Sequence, residues 1–321
     1  MIKLLLLSLS STLLFSAYTN CAFVNDDYEE VCKKVVENGV SIDYANRFLL
    51  SPKTEKMDMK SFELFQPKQI TVHHANEKRA NNNLVKYVPE IVDHIKKYER
   101  VYNLTEAVYN VNREIVAAIL MKETRLGAIT PKHDAFSVFN TLVLKTKGTT
   151  SRDTWLVNMG KSNMVSIITY CYEKGYEPLT CNFPSSYAGA VGIAQFMPSN
   201  FKYIESYHGE VGDLTRMEDA IMSASRFLHD VAGFTTLIDW KKIPQMDTIE
   251  TAWYEYDFTH DNSSFVYAKS EKTGKDYNCF ACGKSELEYL SEYAKKIMTY
   301  NNSSNYAIGV MRLAYDTHQG L

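Results

Sequence analysis

At 321 residues, with 45% hydrophobic and 23% charged side chains, the chain has the composition of a soluble globular protein and the length for a large core in one elaborated domain or two. Its 35 basic residues are balanced by 38 acidic ones for a formal charge of -3, and no basic stripe runs along it, which argues against a nucleic-acid partner. The 22 Tyr and 15 Phe are more distinctive, because aromatic faces hold sugar rings in binding grooves, although an aromatic core would use most of them.

The amino terminus has a short basic start, Met1-Ile-Lys3, followed by an apolar run over 4–15 that is too short to span a bilayer. It reads as a secretory signal peptide over 1–22, with cleavage between Ala17 and Ala22, and it predicts a periplasmic protein. A lipid on Cys21 would instead tie the chain to the outer membrane, but Tyr18-Thr-Asn20 lacks the small residues that such processing prefers. No later stretch is apolar and long enough for a transmembrane helix. In an oxidising compartment the six cysteines favour disulfides. Cys171 and Cys181 flank a Lys174-Gly175 turn and make a plausible local bridge. Cys279-Phe-Ala-Cys282 could be a short-loop bridge, a redox pair or half a zinc site, and the bridge is favoured because no second Cys pair supplies the other ligands. Cys32 is left over unless Cys21 survives processing.

Residues 23–75 are charged and weakly periodic, an amino-terminal extension of unassigned role that ends in one expected strand over 69–74. The His73-His74 pair there reads as solvated. Apolar positions recurring at three and four predict a helix over 83–98. The next helix, Arg113-Glu-Ile-Val-Ala-Ala-Ile-Leu-Met-Lys-Glu123-Thr-Arg-Leu-Gly127, carries the most information. Ile115, Ile119 and Glu123 fall at i, i+4 and i+8, so a carboxylate ends the stripe that faces the interior. Burial and the negative end of the helix dipole both push such a carboxyl toward the protonated acid, the proton donor that glycosidic cleavage requires. The plainer alternative is an amphipathic helix whose last turn reaches water before a Gly127 stop.

Further helices are predicted over 154–174, over 199–208 with Ser199 as N-cap, and over 217–234, where Ala220, Ile221, Ala224, Phe227 and Leu228 form one stripe. Before the second of these lies Ser185-Ser-Tyr-Ala-Gly-Ala-Val-Gly-Ile-Ala-Gln195-Phe-Met-Pro-Ser199. Its small residues allow close backbone approach, either to a ligand or to a packed helix. Residues 240–285 read as loops and short strands, 286–298 as a helix, and another helix follows Tyr306.

Glu123-Thr-Arg-Leu-Gly, Tyr187-Ala-Gly-Ala-Val-Gly-Ile-Ala-Gln-Phe-Met-Pro-Ser and Tyr300-Asn-Asn-Ser-Ser-Asn-Tyr306, in this order, resemble the lytic transglycosylase B family of bacterial cell-wall enzymes over about residues 80–315. The resemblance implies a mainly α (α+β) fold with a lysozyme-like helical catalytic core, a minor β component and a catalytic domain over 76–321. It implies peptidoglycan glycan strands as the partner and no cofactor. In that family one glutamate, here Glu123, protonates the oxygen between N-acetylmuramic acid and N-acetylglucosamine. The substrate acetamido group helps stabilise the cationic centre, and the same glutamate activates the muramyl 6-hydroxyl, which closes a 1,6-anhydro ring. The match also carries over Ser186 and Gln195 as groove-lining polar groups, and Tyr300, Asn301 and Tyr306 as contacts near the reacting sugar. Each has a structural alternative: a turn cap for Ser186, a backbone partner for Gln195, core packing for the tyrosines.

Two departures follow. Many members carry an Asp-x-Asp-x-Asp calcium loop, but the matching positions here are Glu205, Tyr207, Gly209 and Asp213, too few oxygen ligands, so no metal is expected. Where members often have an arginine pair, Trp155 and Leu156 align, with Arg152 nearby. The rival readings are a lysozyme-type hydrolase with a second carboxylate, for which Asp134 in an expected loop is the only nearby candidate, and a non-catalytic glycan-binding scaffold.

Overall fold

The computed structural model describes residues 20–243 and 284–321, apart from 22, 24, 70–71, 74–75, 77–80, 82 and 210, together with the residue pairs 268–269 and 276–277. Helices dominate. The order is α1 (Asp26–Glu37), α2 (Ile42–Leu49), α3 (Met59–Leu64), α4 (Val88–Lys97), α5 (Glu99–Tyr109), α6 (Arg113–Thr124), α7 (Ala135–Lys145), α8 (Ser151–Glu173), α9 (Met217–Asp230), α10 (Lys284–Met298) and α11 (Ser304–Gly320). Two antiparallel strand pairs complete it: β1 (His133–Asp134) with β2 (Pro184–Ser185), and β3 (Ala268–Lys269) with β4 (Asp276–Tyr277).

The helix α6 is the axis of the core. Every residue from Ile115 to Met121 is fully buried, so the helix is apolar on all sides and needs neighbours all round. It receives them from α4, α5, α9 and α11. Truncating Ile115 or Ile119 to Ala in such a setting costs about 2–5 kcal/mol. Its end is abrupt. Arg125, Leu126 and Gly127 all take positive φ, 49°, 53° and 84°, and the backbone N–H of Leu126 reaches back to the Leu120 carbonyl at 3.1 Å. The expected Gly127 stop therefore begins two residues earlier, on residues that pay a left-handed penalty.

A second helical layer joins α7 to α8, with α1 on α8 and α3 on α7. The capping box of Thr150 and Asp153 starts α8 ahead of the expected 154. The 23–75 stretch, which reads as weakly periodic, is thus largely helical and packed: Tyr28 donates to Asn140 Oδ1 at 2.7 Å and Tyr44 to the Tyr176 carbonyl at 2.6 Å. The strand expected over 69–74 is not found among its described residues. Gln69 closes a 3-10 turn, and Val72 and His73 are helical. The helix expected over 199–208 is instead a 3-10 turn, Pro198–Tyr203. Pro198 starts it, and the Ser199 N–H donates to Asn163 Oδ1 at 3.0 Å, so Ser199 is not its cap. Helices α5 and α7 have no counterpart in the sequence expectations; α9 and α10 fall at the expected 217–234 and 286–298, and α11 begins at Ser304, two residues before the Tyr306 after which a helix is expected.

Cys171 joins Cys181, and Cys21 joins Cys32, which resolves the unpaired Cys32. Cys279 and Cys282 lie outside the described residues, as does most of 240–285, of which only 240–243, β3, β4 and 284–285 are described.

Candidate active site

Glu123 sits two residues beyond Met121, the last fully buried residue of α6, and is half-buried, between the core and the surface. Its neighbour Thr124 pins the helix end to the glycine-rich arm. The Thr124 hydroxyl donates to the Ile193 carbonyl at 3.0 Å and accepts the Gly127 N–H at 3.1 Å. The arm folds on itself through bridges of Val191 to Ser185 and to Phe196. Two of its glycines are required. A Cβ on Gly189 would lie 2.3 Å from the Phe139 ring, one on Gly192 would lie 2.3 Å from Leu214 Cβ, and both residues have positive φ.

Gln195 occupies the left-handed region at φ 50°, uncommon for a side chain with a Cβ, and its amide donates to the Gly192 carbonyl at 2.8 Å. The arm is thereby held in one shape. Next to it, the Tyr300 hydroxyl donates to the Ala194 carbonyl, and its ring packs against Phe196 and Phe227. Burial pushes the Tyr300 phenol well above its ordinary range, and the Glu123 charge pushes the same way, so Tyr300 remains a hydrogen-bond donor throughout the working pH range. From the first turn of α11, the buried Tyr306 donates to Glu123 Oε1 at 2.6 Å. The Ser303 hydroxyl caps that turn by accepting the Tyr306 N–H at 3.2 Å.

The structure therefore brings Glu123, Tyr306, Tyr300 and the Gln195 segment to one place. Ser186 and Asn301 make no hydrogen bond to Glu123 or Tyr306 among the described residues. Ser186 is placed by its backbone, donating to the Ala190 carbonyl at 2.8 Å, and Asn301 is exposed in the turn between α10 and α11. Asp134 is not in a loop facing Glu123. It pairs in β1 and caps α7, accepting the Ser137 N–H at 2.8 Å.

One buttress of the arm was not foreseen. The Ser61 hydroxyl, at α3, donates to the Tyr187 carbonyl, and the His73 ring stacks on Tyr187 at 5.6 Å and 4°. His73 is therefore packed rather than solvated; His74 lies outside the described residues. No sequence signal marks contacts of this kind, since neither residue type nor spacing distinguishes them.

Residues 24–315 match the profile of the family described as transglycosylase SLT domain. The chain is a lytic transglycosylase of the B family. The fold agrees. Escherichia coli lytic transglycosylase Slt35, solved in complex with bulgecin A, superposes with a TM-score of 0.64 at 19% identity, covering 92% of this chain and 94% of that one. Soluble lytic transglycosylase SltB1 from Pseudomonas aeruginosa gives 0.61 at 18% identity over 91% and 99%. SltB3 from the same organism, in complex with NAG-anhNAM-pentapeptide, gives 0.59 at 16% over 89% and 77%. No curated protein matches the chain. Its architecture is the mainly α, lysozyme-like fold of the lytic transglycosylases, and its activity is that of a peptidoglycan lytic transglycosylase.

Slt35 has also been solved in complex with calcium. The 205–213 loop of this lytic transglycosylase, where the family resemblance would put a calcium site, does not fit the ion. Its carboxylates are committed elsewhere: Glu205 accepts from the Tyr109 hydroxyl, and Asp213 Oδ1 accepts from the Thr215 N–H at 2.8 Å. The buried Asp219 braces the loop instead, one oxygen accepting the Tyr207 N–H at 2.8 Å and the other the Asp213 N–H at 2.9 Å. Among the described residues no group of three or more His, Cys, Asp or Glu is placed to hold a metal ion.

Proposed function

We propose that Glu123 alone carries the reaction, as acid and then base, on the β-1,4 bond between N-acetylmuramic acid and N-acetylglucosamine. The observation that carries this reading is the placement of Glu123, half-buried at the end of a buried helix with one oxygen taken by Tyr306. With Oε1 accepting from Tyr306, the transferable proton belongs on Oε2. In the first step that proton moves to the glycosidic oxygen as the C1–O bond breaks, and the substrate acetamido group shares the positive charge at C1. The carboxylate then takes the proton of the muramyl 6-hydroxyl as O6 bonds to C1, and no water is consumed. Holding the 6-hydroxyl close supplies on the order of 7–11 kcal/mol in well-aligned intramolecular cases.

Gln195, Tyr300 and Tyr306 line the reacting sugar; Ser186 and Asn301 serve the rim of the groove. The demotion of Asp134 to a helix cap supports the one-carboxylate mechanism over hydrolysis. That SltB3 was crystallised with an anhydromuramyl pentapeptide is in keeping with it. The catalytic domain runs over 76–321 and the 23–75 extension buttresses the arm. The chain is exported and works in the periplasm; the signal expected over 1–22 is cut between Ala17 and Cys21, so that the mature chain keeps the Cys21–Cys32 bond. The Cys21–Cys32 bond uses the sulfur that a lipid would need, which favours a mature chain free of an outer-membrane anchor.

Digestion of purified peptidoglycan tests the mechanism. Muropeptides lighter by one water and resistant to borohydride are expected. Reducible ends as the main product would replace the transglycosylase mechanism by a lysozyme-type one, and no cleavage at all would leave a glycan-binding scaffold.

A further inference from the structure

Between α6 and α11, beside the Glu123–Tyr306 pair, lies a second polar cluster. Lys122 Nζ donates to Asn81 Oδ1 at 2.5 Å, and the Asn81 amide donates to the Asn305 carbonyl at 2.6 Å, in the residue before Tyr306. Asn81 is 7% exposed. The same ammonium stands 5.1 Å from the centre of the Tyr306 ring. Space for this cluster is built into α11. A Cβ on Gly309 would lie 2.2 Å from Asn81 Oδ1 and 2.9 Å from Lys122 Nζ, so only glycine lets the two groups meet there.

The geometry points to Lys122, gripped by Asn81, as a positioning residue that holds Tyr306 on Glu123. The buried amide fixes the ammonium over the Tyr306 face, and the same amide tethers the backbone that carries Tyr306. A cation over the ring draws electron density from it and strengthens the phenol as a donor to Glu123 Oε1. Lys122 therefore stabilises the ionised form of Glu123, the form that must act as base in the second step. Among the described residues, the charged or titratable groups at this end include Tyr300 from the turn before α11, Arg125 at the end of α6, and Tyr87 ahead of α4, whose ring Arg125 covers at 4.6 Å and Lys86 at 5.1 Å. From the arm and the start of α9, Ile193 and Met217 lie against Gly127, just past the end of α6.

This inference rests on Glu123 as the reacting acid, but its test does not require turnover. In the full mature chain with its disulfides intact, the Glu123 carboxyl carbon is followed by NMR against pH, its signal assigned by its loss in Glu123→Gln. In Lys122→Met the midpoint should move upward by roughly half a pH unit, the effect of removing a nearby solvent-screened positive charge. Asn81→Leu should do the same by releasing the ammonium, and Lys122→Arg should restore the original midpoint. On peptidoglycan, kcat should fall with KM unchanged for the first two variants. Unchanged midpoints in both Lys122→Met and Asn81→Leu would overturn the proposal, whatever the reaction products are. Reducing ends, by contrast, would sink the proposed mechanism and leave the NMR result standing.

Discussion

The helices α6 and α11 meet at both ends through a carboxylate, Glu114 at one end and Glu123 at the other. Glu114 lies in the first turn of α6, 5% exposed, and accepts from His318 Nδ1 at 2.9 Å, with Trp240 stacked on the imidazole at 5.3 Å. Glu123 lies in the last turn, half-buried, and accepts from Tyr306 at 2.6 Å. The helix dipole favours a negative charge at the first position and opposes it at the second. Glu114 faces a partner that can carry a positive charge, whereas Glu123 faces a neutral phenol. The same residue type on the same helix is thus a clasp at one end and a proton carrier at the other, and the difference is made by field, partner and access.

The contrast is broken most severely at the active end. Glu123→Gln keeps the shape but cannot transfer the proton, and clearing of purified sacculi should fall by about a hundredfold or more with the melting temperature unchanged. Activity within about tenfold of wild type would remove Glu123 from its role.

The next largest effect concerns His94 on α4, which packs against both α6 and α11. Burial, and then the Lys97 charge, bring its imidazole down to about 4 from the ordinary 6.5, and its Nε2 has no partner. As pH falls the unfolded chain takes up the proton first. Stability is therefore full above about pH 6.5 and is lost progressively toward pH 4, by on the order of 3 kcal/mol. Urea melts across this range should show the loss in the wild type and a flatter slope in His94→Leu; equal slopes would show that His94 does not control it.

A smaller effect is expected at the clasp. Glu114→Ala should lower stability by about 1–3 kcal/mol through the lost His318 bond, while kcat below the melting range stays within about twofold. A large kcat loss there would mean that the two ends of α6 are coupled. Calcium should do least. With Asp219 bracing the 205–213 loop, millimolar calcium or a chelator should shift the melting temperature by less than about 1 °C, since no native-state ligand is gained or lost.

How much of this is legible in the chain depends on the range of the interaction concerned. The α6 stripe and the α9 stripe were readable because a helix repeats its environment every three or four residues, so Ile115, Ile119, Ala224 and Leu228 announce the buried face by spacing alone. The 199–208 helix failed because Pro198 and the distant Asn163 decide the local backbone, and Ser199 in isolation looks like any N-cap. Helix α7 is not legible at its start, because its N-cap is Asp134, whose oxygen accepts the Ser137 N–H, a role that the residue type alone does not announce.

By itself the sequence determined the helix that ends in Glu123, the small-residue arm at 185–199, the Tyr300–Tyr306 segment and, through these in order, the family. Each is a local pattern or a motif, and local patterns survive being read along a line. The tertiary structure alone decided that Tyr306, distant in sequence, donates to Glu123, that Asn81 reaches Lys122 through the space left by Gly309, and that Asp219 braces the 205–213 loop through its two carboxylate oxygens. These are pairings between residues whose types and spacings are unremarkable, and they exist only because the buried faces of α6, α9 and α11 pack in one way, which sets side chains far apart in the chain within hydrogen-bonding distance.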